Sequence, residues 1–178
     1  MPISLYDAVI PTAMQIVASV RTLLDKAEAF CAERGLPEAE LVEARLIDDM
    51  FPLAFQIAAC AVHSRGAVEG ALQGAFALPV GAPLPASLAA MKALMDDTLA
   101  GLRAVSREAL DARTGGDLAY SIPAFGVEKR YATEDFLLSY AQPNFYFHAT
   151  TAYDILRSRG VSIGKRDFLG AVRFKADA

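Results

Sequence analysis

The chain has 178 residues, is 54% hydrophobic and carries 17 Lys and Arg against 21 Asp and Glu, for a net charge of −4. That balance argues against nucleic-acid binding, which a clustered basic surface normally drives, and the apolar content suffices for the core of one domain spanning residues 1–178. Two cysteines, Cys31 and Cys60, cannot build the disulfide framework of a small secreted domain, and no apolar run is long enough to span a membrane, so a reduced, cytoplasmic location is expected.

Ser4-x-x-Asp7 resembles a capping box, so a helix is predicted to start there. No Lys or Arg precedes Arg21, and Asp7 interrupts the first apolar stretch, which disagrees with a signal peptide. Tyr6, Val9, Ala13, Val17, Val20, Leu24, Ala27 and Cys31 advance by threes and fours toward Gly35, a left-handed terminator. Pro11 is expected to bend the first turns. Residues 38–46 suit a connecting turn or small helix. Asp48-Asp49 favour the positive end of a second helix beginning at Met50, with Pro52 in its first turn, running to about Gly74. Gln56, Cys60 and His63 share one face of it.

The three prolines of the 78–85 stretch exclude a helix there. A third helix fits Ala86 to Leu110, where Leu88, Met91, Met95, Leu99, Leu102 and Val105 keep helical spacing. After Thr114-Gly115-Gly116, alternation at Leu118, Tyr120 and Ile122, then Val127, Lys129 and Tyr131, predicts a β-hairpin that must lean on the helices. Thr133, Glu134 and Asp135 open a last helix, with a kink or a break and restart at Pro143, continuing to about Arg159-Gly160. A tail, 161–178, should pack over the bundle. Four long helices with little strand make an all-α, antiparallel four-helix bundle the economical architecture, with sites between helices.

The string from Gln142 to Tyr153 concentrates aromatics, His148 and two threonines around Pro143. Asn144, His148 and Thr151 lie at i, i+4 and i+7, a shared face suited to a metal or polar ligand. The alternative is that the aromatics fill the core and His148 bonds a carbonyl. Cys60-x-x-His63 brings a thiol and an imidazole to one helix face, with His148 a third ligand candidate. Equally, Cys60 is a small core residue and His63 sits at the rim, capping or meeting a partner subunit. Gly164-Lys165-Arg166-Asp167 lacks the spacing of a phosphate loop. Its cations are expected to reach Asp48, Asp49 or another acidic helix end.

Pro143-Asn-Phe-Tyr-Phe-His148-x-Thr-Thr-Ala-Tyr153 and Gly160-Val-x-Ile-Gly-Lys-Arg-Asp-Phe-Leu-Gly170, with Leu5-Tyr6-Asp7 and Asp49-Met-Phe-Pro-Leu53, resemble an uncharacterised bacterial domain-of-unknown-function family over essentially the whole chain. That family is similar in fold to the DinB/YfiT-like superfamily of four-helix proteins, many of them dimeric and regarded as candidate metalloenzymes. The resemblance implies a homodimer and a Zn or Ni site with one histidine from the second helix and two, four residues apart, from the last. Carried over, the last histidine falls on His148, the other of the pair on Asn144, and the second-helix ligand near Gln56. Neutral amides bind such metals poorly.

The resulting expectation is a bundle with a degenerate metal site, noncatalytic or binding a small molecule through Gln56, Asn144, His148, Thr151 and Tyr153. The alternative is a metal-dependent thiol transferase or hydrolase with a non-standard ligand set around His148, using His63 or Cys60. A third is a purely structural homodimer.

Overall fold

In a computed structural model describing residues 3–175, four long helical segments form a bundle beside a small sheet. Helix α1 (Leu5–Arg34) starts where Ser4 Oγ accepts the Asp7 N–H and ends at Gly35, left-handed at φ 64°. It continues through Pro11 without interruption. A short α2 (Ala39–Val42) follows. Helix α3 (Leu53–Ala61) begins three residues later than predicted because Pro52 is its extended N-cap, leaving Asp48-Asp49 in the preceding turn. A π-turn, Val62–Gly66, joins it to α4 (Ala67–Gln73), which ends at Gly74 with φ 76°.

Strand β1 (Ala75–Ala77) was not legible, since three residues are too few to show alternation. Helix α5 (Leu88–Arg103) and helix α6 (Arg107–Asp111) replace the single helix expected over 86–110. The division is chemical: Ser106, in extended backbone, accepts from the Ala109 N–H and so caps a new start. The predicted hairpin, β2 (Asp117–Ile122) and β3 (Val127–Ala132), becomes a three-stranded sheet, with β1 parallel to β2 and Phe76 opposite Tyr120. The sheet buries Phe76, Leu118 and Tyr120 against the helices.

The last helical segment comprises α7 (Thr133–Asp135), a π-turn (Phe136–Ala141) and α8 (Gln142–Ser158), continuous through Pro143. Of the kink or break and restart expected there, no break occurs, and the helix changes from π to α winding just before Pro143. The wider turn shifts the bonding pattern, so that Gln142 N–H reaches Leu137 O five residues back, and the ring of Pro143 meets a helix already out of α register.

Helix α1 packs chiefly on α5, and α3 on α8. Ile10, Leu24, Leu53, Ile57, Met95 and Phe145 sit among the buried residues. This brings the two helices that carry the candidate polar residues into direct contact.

The tail packs as expected through Val161 and Ile163, both buried, then forms α9 (Lys165–Leu169) against α1; the expected tail's last residues, 176–178, lie outside those described. Its anchor differs from the expectation. Asp167 pairs with Lys26 at 2.6 Å, and Gln15 Nε2 donates to Leu169 O at 2.7 Å. Among the described residues no ion pair joins Lys165 or Arg166 to Asp48 or Asp49, because the α9 turn directs its acidic residue, not its cations, at α1. Among the described residues no helix is long and apolar enough to cross a membrane.

Candidate functional site

The contact between α3 and α8 holds a polar pair, buried Gln56 and half-buried His148. Gln56, only 2% exposed, donates through Nε2 to Phe51 O at 2.9 Å. That bond fixes the amide, so Oε1 faces His148 Nδ1 at 2.8 Å and accepts its proton. His148 is therefore the Nδ1–H tautomer, with Nε2 as a free acceptor. Burial lowers its pKa from 6.5 to about 4, so the ring is neutral at physiological pH.

Three rings surround it. Phe55 and Phe147 meet His148 edge-on, with centroids 5.8 and 5.3 Å away, and His63 lies nearly parallel at 5.5 Å. Phe51 stacks on Phe55 at 4.1 Å. Phe51 and Phe147 are more than half exposed, so an aromatic surface leads from solvent to the imidazole. Phe51 and Phe55 were not among the expected site residues. The signal available was the Phe51-x-x-x-Phe55 spacing one residue before Gln56.

The other predicted residues are placed elsewhere. Asn144 Nδ2 donates to Tyr140 O at 2.8 Å, so its amide serves the backbone of the π-turn. Thr151 is buried further along α8, and Tyr153 packs edge-on against Phe168 of the tail. Cys60 is wholly buried, and burial pushes its thiol pKa far up, so without a metal it packs as a neutral thiol and not as a thiolate nucleophile. His63 is not at the rim: it is 7% exposed, and burial together with the nearby His148 lowers its pKa to about 4. It lies on the same buried face as Gln56 and Cys60.

The metal that the resemblance implies does not fit these residues. Among the described residues no three His, Cys, Asp or Glu side chains converge. The two carboxamides at ligand positions are both engaged, Gln56 by His148 and Phe51 and Asn144 by Tyr140. Gln56 does hold His148 by Nδ1, as an outer-shell partner holds a metal-binding imidazole, but the remaining nitrogen has one neutral imidazole nearby and no anionic donor set. A divalent ion with N and O ligands needs more. At a pKa near 4 His148 is also a weak base at neutral pH. What the arrangement supplies is one oriented, uncharged hydrogen-bond acceptor framed by aromatic rings.

A second polar feature lies behind it. A small, partly open and mostly apolar pocket of about 10 Å³ lies between α1 and the two π-turns, with His63, Ser64, Gln142 and Tyr146 as its polar lining.

The domain-of-unknown-function family DUF1993 matches residues 5–169. The crystal structure of a DinB family member protein from Shewanella denitrificans superposes with a TM-score of 0.82, at 29% sequence identity, over 97% of this chain and 96% of that one. No functionally curated protein matches.

Proposed function

The chain belongs to the DUF1993 family of unknown function, with a DinB-type fold, and on that premise we propose that it is a noncatalytic small-molecule-binding bundle in which the His148–Gln56 pair stands where relatives of this fold are expected to hold a metal. The observation that carries the reading is the 2.8 Å bond between His148 Nδ1 and Gln56 Oε1. It locks the tautomer and presents Nε2 as an acceptor. A matching ligand is uncharged, donates one O–H or N–H to that nitrogen, and lays an apolar body on Phe51, Phe55 and Phe147.

Metal analysis of protein purified without an affinity tag, with NMR of the His148 ring during titration with phenol, tests this. Substoichiometric metal and a saturable shift of the His148 signals, abolished in His148→Ala, are expected. Stoichiometric Zn or Ni that is lost in His148→Ala overturns the reading in favour of a metal-dependent enzyme. A His148 signal unmoved by phenol removes the ligand site.

A further inference from the structure

We infer that the cavity between the two π-turns is a built site for a single water molecule, anchored on His63. The imidazole is more than nine-tenths buried, and its Nδ1 has no hydrogen-bond partner among the described groups. A neutral imidazole carries one donor and one acceptor, so Nδ1 requires a partner in either tautomer. Buried polar atoms in folded proteins almost always have one. His63 lines a small pocket of about 10 Å³, the space of about one water.

The remaining lining supplies what a buried water needs, two to four polar neighbours. Ser64 Oγ donates to Cys60 O at 2.6 Å, which leaves its lone pairs free to accept. Gln142 Nε2 donates to Ala8 O at 3.4 Å and to the Tyr146 hydroxyl at 3.5 Å, which leaves the Tyr146 O–H free to donate in turn. Tyr146 is partly buried at the same wall. The space itself arises from the backbone. Val62–Gly66 and Phe136–Ala141 are each wound as π-turns, whose extra residue widens the helix, and the two wide turns share this cavity as walls. His63 and Ser64 of one turn and Leu137 and Ala141 of the other line it.

The test is a high-resolution crystal structure of the full chain, collected once under ordinary conditions and once under xenon pressure, for the natural protein and for His63→Phe. One ordered water within hydrogen-bond distance of His63 Nδ1, with no xenon at that place, is expected in the natural protein. His63→Phe should lose the water. A dry natural cavity, or xenon occupying it, overturns the inference, as does the same water persisting in His63→Phe. Should His63→Phe fail to fold, the natural protein alone decides between water and xenon. None of these outcomes depends on whether His148 binds a ligand.

Discussion

Lowering the pH from 7 to 5 should destabilise the protein through its two histidines alone. The chain contains only His63 and His148, and burial lowers both from 6.5 to about 4. Between those values the unfolded chain binds more protons than the folded one, so stability is full above pH 6.5, falls as the pH drops toward 4, and levels off below it. Each ring with such a shift costs about 2 kcal/mol by pH 5, with the slope approaching about 1.4 kcal/mol per pH unit per ring. His148 is less enclosed than His63, and water screens part of its share, so the pair together should cost about 3 kcal/mol. For a domain of this length that lowers Tm by about 6–12 °C. Carboxylates such as Asp25 and Asp167, held low by Arg21 and Lys26 respectively, stabilise the fold above their unfolded values near 3.8 and lose that contribution only below this window. Urea unfolding at half-unit pH steps measures the effect, and the proton uptake on unfolding should approach two. In His63→Phe the slope should fall by about half. A loss below about 1 kcal/mol between pH 7 and 5 would refute the claim that both imidazoles are buried and neutral.

Gln56→Ala removes both bonds of the fixed amide and leaves His148 Nδ1 and Phe51 O without it; a loss of about 2–4 kcal/mol is expected by denaturant titration, and less than about 1 kcal/mol would show that the pair contributes no order to the α3–α8 contact. Phe136→Ala, at a fully buried ring that touches Phe76, Tyr131 and Tyr140, should cost about 3–5 kcal/mol in the same assay. A cost comparable to a surface substitution would mean the sheet is not packed on the last helix as described.

The order of the long helices, the Ser4 cap, the Gly35 and Gly74 terminators and the hairpin strands were legible because capping, left-handed glycines and alternation are local effects, decided within a few residues. So was the pairing of Gln56 with His148 as an expectation, though only by way of resemblance, since their separation by 92 positions places no local constraint on it. What tertiary structure decided was the use of each side chain. Asn144 sits on the predicted face, yet its amide goes to Tyr140 O because the π-turn offers a carbonyl one turn away. His63 was expected at the rim beside charged Arg65, but packing buries it on the face it shares with Gln56 and Cys60. Both π-turns escape prediction because a single inserted residue shifts side-chain phase without altering hydrophobic content, and its compensation comes from the helices packed alongside. Composition and periodicity thus determined a helical bundle, whereas the direction in which its imidazoles point, and whether an amide binds a ligand or a carbonyl, depended on backbone register that only packing selects.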